Sequence, residues 1–415
     1  MDALYSCNPT IVSSASPPIP LAAAWARSFS PTPSRPLLNL AQGVPGAPPP
    51  QQLLDRLAHC TADPETTKYG ALEGDDPLRV ALADDVVRTY GTLQGAHPVG
   101  KDDVVITAGC NLAFYATMLA LAQPGDQVIL PTPWYFNHAM TLEQLAISLV
   151  PLPCPAPTFL PSPSRCAQLV TPRTRAIVLV SPNNPTGAIY PPELLREFAA
   201  LARENKVALV LDETYRDFVD GRPHGLFAET AWREYLVHLF SFSKSYALPG
   251  HRLGALVASH SLLTQVSKLL DCLQICPARP AQRALAWAVD GTRPWREGTR
   301  RELEARQRVF REGVEGVEGW EVVTGGAYFA YVKHPFGSSP SQLVAARLAS
   351  LAGVVVLPGS FFSPRLPGDD AAQDDRYLRF SIANVDETTL RLVPDRLRQL
   401  SELWPSLSPS LGDEA

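Results

Sequence analysis

The sequence predicts an α/β protein in which a mainly parallel sheet carries helices on both faces, with a smaller α+β domain beside it. Three observations lead there. Between residues 100 and 260 short apolar runs alternate with helical patterns, the order that winds a parallel sheet. Glycine- and proline-bearing turns follow the ends of those runs, where open α/β sheets bind ligands. The 415 residues exceed one ordinary core, so a large domain with a smaller companion is expected.

Composition narrows the function classes. A hydrophobic content of 46% and a charged content of 19% describe a globular chain. A formal net charge of -5, with no Lys/Arg run, gives no footprint for nucleic acid or an anionic membrane, which leaves small-molecule partners. Seven cysteines, at 7, 60, 110, 154, 166, 272 and 276, form an odd set without a CxxC pair or Cys/His zinc spacing, so reduced thiols and no metal are expected. Cys272 and Cys276 would share one helical face in a core. No basic segment leads into an apolar one near the N-terminus and no run approaches a membrane span, which predicts a cytoplasmic protein.

In chain order, residues 1–36 are rich in Pro and Ser around one apolar island at 21–26, and read as a mostly extended arm over another surface. Leu38-Asn39-Leu40-Ala41-Gln42-Gly43-Val44-Pro45 is a loop whose glycine and proline permit a tight backbone passage. Thr67-Lys68-Tyr69-Gly70 opens a second such loop, ahead of a helical pattern at 77–90. Residues 104–107 read as a strand, and Ala108-Gly109-Cys110-Asn111 turns it into an apolar helix over 112–122. A strand, a glycine turn and a helix start aim unpaired N–H groups at one place, an anion site by construction. The next strand, 127–130, runs into Pro131-Thr132-Pro133-Trp134-Tyr135-Phe136, aromatics that are plain core unless a flat ligand lies on them. Residues 151–165 are proline-dense and are expected to run over the surface.

The strand at 176–180 closes on the rigid turn Ser181-Pro182-Asn183-Asn184-Pro185-Thr186-Gly187. After a helix over 192–205, the run 207–211 puts Asp212 beyond five apolar residues, too deep for a carboxylate without a cation; Glu213-Thr214-Tyr215 follows. Another run, ending at Leu239-Phe240, opens into Ser241-Phe242-Ser243-Lys244-Ser245-Tyr246-Ala247-Leu248-Pro249-Gly250-His251-Arg252-Leu253-Gly254, with a strand over 253–258 leading out. Lys244 therefore sits in a small-residue turn between two buried strands. A solvated loop lysine is the plain reading. The other is a desolvated amine whose lowered pKa suits Schiff-base chemistry, and Ser241, Ser243 and Arg252 put anion-binding groups beside it. Residues 296–314 form a long amphipathic helix into the smaller domain, to which 325–332 and 354–362 add strand and loop segments. Arg379, set among apolar residues at 377–384, suits a structural salt bridge or a bidentate grip on a carboxylate.

Ser-x-Ser-Lys followed by Pro-Gly-x-Arg-Leu-Gly resembles the lysine segment of the class I/II aminotransferases, fold-type-I enzymes of the aspartate aminotransferase superfamily that use pyridoxal 5'-phosphate. The Asn-Pro-Thr-Gly turn and the arginine segment resemble theirs in the same order, and the likeness spans roughly residues 37–400. It implies a sheet of the seven-stranded type, an arm over 1–36, a site-entry part of the small domain over 37–60, a large cofactor domain over 61–295 and a small domain over 296–415. Carried over residue by residue, Lys244 holds the cofactor as a Schiff base and acts as general base, and Asp212 keeps the ring nitrogen protonated. Tyr215 and Asn184 serve the ring's 3'-oxygen, and Tyr135 stacks on the ring, with Trp134 as second choice. Ser241, Ser243, Arg252 and the helix start at Gly109, Cys110 and Asn111 take the phosphate; Tyr69 reaches that of a neighbouring subunit, which implies a homodimer. Gly43, Asn184 and Arg379 bind the substrate.

The implied reaction moves an amino group between an L-amino acid and a 2-oxo acid. Tyr246 stands where relatives often have phenylalanine, and His251 where they often have an apolar or aromatic residue. A pyridoxal-phosphate lyase or bond-forming enzyme of a specialised biosynthetic pathway is therefore the second reading. A cofactor-binding regulator or inactive scaffold is the third, although residues 1–36 are too short for a DNA-binding domain. The stretch 269–274 offers no arginine for a second carboxylate and Arg279 lies only nearby, which tells against aspartate or glutamate as principal donor.

Overall fold

In a computed structural model, which describes residues 5–93, 97–364 and 375–407, the apolar runs of the middle of the chain form one seven-stranded sheet. Its strands lie in the order Val104–Thr107, Gly254–Val257, Leu236–Ser241, Ala208–Asp212, Thr174–Val180, Gln127–Thr132 and Ser148–Pro153. All pair in parallel except Gly254–Val257, which is antiparallel to both neighbours. Leu209 and Leu211 enter the core on one face while Ala208 and Val210 enter the core on the other, as do Ile177 and Leu179 against Ala176 and Val178. A sheet buried on both faces needs apolar side chains at every position, hence the unbroken runs. Helices Asp76–Tyr90, Pro192–Asn205 and Arg279–Gly291 cover the first face; Cys110–Leu121, Phe136–Gln144 and His260–Leu273 cover the second.

The smaller body is a four-stranded antiparallel sheet in the order Leu357–Pro358, Tyr377–Ser381, Phe329–Lys333, Glu321–Gly326. Helices Arg293–Glu315, Ser341–Ala352 and Val393–Leu403 bury their apolar stripes against it. Leu38–Asn39 pairs in parallel with Val354–Val355, which ties the early chain to this body. The two bodies touch closely at the end of the Asn-Pro-Thr-Gly turn. A Cβ on Gly187, whose φ is +71°, would lie 2.4 Å from Gly326 N, and one on Gly326 would lie 2.5 Å from Gly187 O.

Three expectations are corrected. The arm is not loose: Pro18–Trp25 is a helix that buries Ala22 and Trp25 with the small-body core. Its helical start is favoured by Pro18 at the first position, where no N–H partner is needed. Residues 151–165 do not simply run over the surface, since Pro151 and Pro153 belong to the strand Ser148–Pro153. That strand is the sheet's edge, where a missing N–H costs no ladder bond. Finally, helix His260–Leu273 ends before Cys276, so Cys272 and Cys276 share no helical face; Cys276 Sγ instead accepts from Gly70 N at 3.3 Å. Among the described residues no helix is long and apolar enough to cross a membrane, and no group of His, Cys, Asp and Glu is arranged to hold a metal ion.

Candidate active site

The carboxyl ends of the parallel strands converge on a cavity of about 330 Å³. Asp212 ends its strand there, 4% exposed. Its Oδ1 accepts from Thr214 N at 3.0 Å, and His138 Nε2 lies 3.2 Å from its Oδ2. Burial alone would raise the carboxyl pKa; the contacts with His138 and Thr214 more than offset this and hold it below the ordinary aspartate value. Nδ1 of His138 is buried without a partner among the described residues, so Nε2 is the nitrogen that engages the carboxylate. Phe114 stacks on that ring at 3.9 Å and Tyr135 meets its edge at 5.1 Å, fixing its direction. The carboxylate thus stays charged, and no lysine or arginine among the described residues pairs with it.

Lys244 sits on a short helical turn, Phe242–Ser245, capped by Ser241, whose Oγ accepts from Ser243 N at 3.2 Å. Its Nζ donates to Gly43 O at 2.7 Å, and no carboxylate among the described residues pairs with it. Burial first, and then the charges of Arg379 and Arg252, pull its pKa down to about 8. Arg379 projects from the strand Tyr377–Ser381 and is 2% exposed. Its Nη1 donates to Asn184 Oδ1 at 2.8 Å and its Nη2 to Ala41 O, while Nε is left without a partner. Phe329 and Phe362 flank the guanidinium at 4.6 and 5.0 Å, and burial lowers its pKa to about 10. A salt bridge does not account for it: no carboxylate among the described residues reaches Arg379. Because Asn184 gives its oxygen to Arg379, its amide nitrogen remains as a donor for the cavity. Tyr215 is buried beside it, its pKa pushed well up by burial, so its hydroxyl keeps its proton.

A third group of contacts forms an anion seat. Gly109, at φ +91°, starts helix Cys110–Leu121 with no side-chain cap, which leaves its first N–H groups free. A Cβ at Gly109 would lie 2.2 Å from Arg252 Nη2, so only glycine admits the guanidinium to this helix start. Ser241 and Ser243 line the same cavity.

The cavity therefore gathers Gly43, Cys110, Asn111, Tyr135, Asn184 and Asp212 with Tyr215, Ser241, Ser243, Lys244, Arg252 and Arg379. Gly109 lies just behind Arg252. Tyr69 lies outside it, 78% exposed. Trp134 is core, packed in the second face of the large sheet. Tyr246 and His251 do not line the cavity: Tyr246 packs on Phe242 at 5.3 Å under the Arg296 guanidinium, and His251 is exposed. Arg279 is held by Asp75 at 3.2 Å and by Glu65 O at 2.7 Å, which braces the loop carrying Tyr69. Sequence reasoning passed over His138, whose signal was a histidine on an otherwise apolar helix face with Ala139 and Leu142, and Thr214. It also missed Pro17, Pro18 and Ile19, which line the cavity from the arm and carry no local signal of it.

An anion seat, a carboxylate awaiting a cation and an amine of lowered pKa fit a flat phosphorylated heterocycle with a basic ring nitrogen and an aldehyde, which is the description of pyridoxal 5'-phosphate. Arg379 is left for a second, smaller carboxylate.

The family described as aminotransferase class I and II matches residues 35–397. An aromatic aminotransferase from Arabidopsis thaliana is 30% identical over 87% of this chain and 89% of its own length. A valine–pyruvate aminotransferase from Mycobacterium tuberculosis is 30% identical over 89% of this chain and 92% of its own. Among solved structures, a double mutant of Thermus thermophilus aspartate aminotransferase superposes with a TM-score of 0.85 at 25% identity, covering 96% of this chain and 100% of that one.

Proposed function

The chain belongs to the class I and II aminotransferases, a pyridoxal 5'-phosphate-dependent transferase of amino groups between amino acids and 2-oxo acids, and we propose how its side chains divide that work. The bound cofactor supplies an aldehyde that condenses with amines and a ring that takes up the electron pair left at the α-carbon. Lys244 would hold the cofactor through Nζ and would accept the α-proton at the same atom; burial and the neighbouring arginines, which pull its pKa down to about 8 in the ligand-free protein, favour the neutral amine that attachment requires. Asp212 would hold a proton on the ring nitrogen, and His138 aims the carboxylate. Tyr215 and the free amide nitrogen of Asn184 donate to the ring oxygen, and Tyr135 lies against the ring. Arg252, Ser241, Ser243 and the N–H groups at Cys110 and Asn111 hold the phosphate. Arg379, with Gly43 and Asn184 beside it, binds the α-carboxylate.

The observation that carries this reading is the pairing of opposites in one cavity: two cations without carboxylates, Lys244 and Arg379, and one carboxylate without a lysine or arginine partner among the described residues, Asp212. The exposure of Tyr69 on a braced loop supports a homodimer in which it completes the partner's phosphate site. Seven free thiols support residence in the cytoplasm. The proposed division into an arm, an entry segment and two domains is supported by the pairing of Leu38–Asn39 with Val354–Val355.

The test is an absorbance scan of cofactor-loaded protein during single additions of amino acids without an oxo acid. A stoichiometric change that an oxo acid reverses is expected. Amino-acid consumption that leaves the spectrum as it began would refute transamination in favour of lyase or bond-forming chemistry.

A further inference from the structure

We propose that Tyr328 is a positioning residue for Lys244: its hydroxyl fastens the lysine's own peptide to the smaller sheet and so fixes where the amine stands. The inference rests on the transaminase reading of the same site. The turn that carries the lysine, Phe242–Ser245, is only four residues long, too short to hold itself. Ser241 caps its start, and its far end leaves through Ala247, at φ +52°, whose N–H donates to Lys244 O at 3.1 Å. The Tyr328 hydroxyl donates to that same carbonyl at 3.2 Å. Tyr328 belongs to the other body, at the tip of the hairpin that joins Glu321–Gly326 to Phe329–Lys333. The tip is itself fixed: Ile382 N donates to Tyr328 O at 2.9 Å, and Gln307 Nε2 to Phe329 O at 2.8 Å.

The next residue along the tip backs the other end of the lysine. A Cβ on Gly43 would lie 2.7 Å from the Phe329 ring, so the ring presses on the segment whose carbonyl receives Lys244 Nζ at 2.7 Å. Adjacent residues of one hairpin thus bear on the carbonyl and the amine of a lysine mounted on the large sheet. A long, flexible side chain delivers its amine to one place only when its root is held as well as its tip. Tyr328 is 1% exposed and does not line the cavity, so a donor in the cavity does not touch it. Its ring packs on Tyr215 at 5.2 Å and Phe218 at 4.9 Å, contacts that do not need the hydroxyl. Whatever the hydroxyl does for the reaction therefore passes through Lys244.

The test compares the unaltered chain with Tyr328→Phe, which keeps the ring and removes the hydroxyl. In the cofactor-free proteins, trace acetic anhydride labels lysine amines across a pH series, and peptide masses compare Lys244 with the exposed Lys101 and Lys206. Arg379, Arg252, Cys110 and Asp212 face the amine in both proteins, so a change in its titration reports a change in where it stands. In Tyr328→Phe the Lys244 inflection should rise above about 8, with Lys101 and Lys206 unchanged. The variant should capture pyridoxal 5'-phosphate roughly threefold to tenfold more slowly at neutral pH, the worth of one neutral hydrogen bond. Once loaded, it should lose kcat by a similar factor while the donor's KM holds, because the donor's own contacts are intact. A lowered melting temperature with the Lys244 titration and the capture rate unchanged would overturn the inference and leave the transaminase reading intact. Failure of the unaltered protein to capture the cofactor at Lys244 would strike that reading, and the inference with it.

Discussion

Asp212 and Glu213 are neighbours in the chain yet lie in two unlike electrostatic regions. Glu213 turns away from the cavity, and its Oε2 receives the Tyr90 hydroxyl, His224 Nε2 at 3.1 Å and His238 Nε2 at 3.0 Å. Next to it, Arg216 meets Asp85 directly and Asp217 at 3.7 Å, while Arg296 holds Asp217 at 3.0 Å. Burial would raise the pKa of Glu213, but its two histidines hold it well below the ordinary glutamate value. Across the strand end, Lys244 and Arg379 are buried without a carboxylate among the described residues, and Asp212 has one histidine where Glu213 has two and a tyrosine. In the first region opposite charges meet on folding; in the second Lys244 and Arg379 gain charged partners only with ligands bound, which is why binding should stabilise this protein. Buried cations without carboxylates thus mark the site more sharply than cavity shape.

The contrast can be broken most severely at Lys244. Lys244→Ala should cut turnover by about 10⁴-fold or more and abolish borohydride fixation of the cofactor, read as the mass of the intact protein, without a loss in melting temperature. Retained fixation would move the attachment elsewhere. Next come matched changes on the two sides. Asp85→Ala strips a buried guanidinium of its nearest partner and should cost about 3–5 kcal/mol in urea melts. Arg379→Met removes a cation that has no carboxylate, so it should cost little stability, yet lower kcat/KM roughly 30-fold or more, the equivalent of about 2 kcal/mol of charge-assisted hydrogen bonding. Equal stability losses in the two variants would erase the distinction between the regions.

The smallest effect concerns pH. The amine captures the cofactor when neutral, so capture by cofactor-free protein should slow about tenfold per pH unit below about 8 and level off above it. Arg379→Met should shift that inflection upward, because the lost positive charge had opposed protonation. The folded pKa lies below the unfolded value of 10.5, so the unfolded chain binds more protons in between. This lysine's contribution to stability therefore rises with pH from about 8 to 10.5. A capture profile that stays unchanged in Arg379→Met would deny the coupling.

Much of this was legible in the sequence because each key residue stands at the end of an apolar run. Asp212 and Lys244 announce themselves by depth, and Asn184 by the rigid turn that holds it. What was not legible depends on partners distant in the chain. Pro151 and Pro153 are strand residues only because their strand is at the edge, a fact of sheet order. His138 becomes meaningful only when the Asp212 strand is laid beside its helix. Pro18 and the alanine run favour a helix in the arm locally, but the core that Ala22 and Trp25 pack into is contributed by the far end of the chain and is not readable from the segment itself.

Gly187 and Gly326 press backbone on backbone with no room for a single methyl group on either side. In the language of heredity, their two codons form a dead end. Compensation usually proceeds by enlarging one residue and shrinking its neighbour, but no amino acid is smaller than glycine, so neither position can be rescued by the other. A deep mutational scan should find both intolerant even in libraries already freed from selection for any particular substrate.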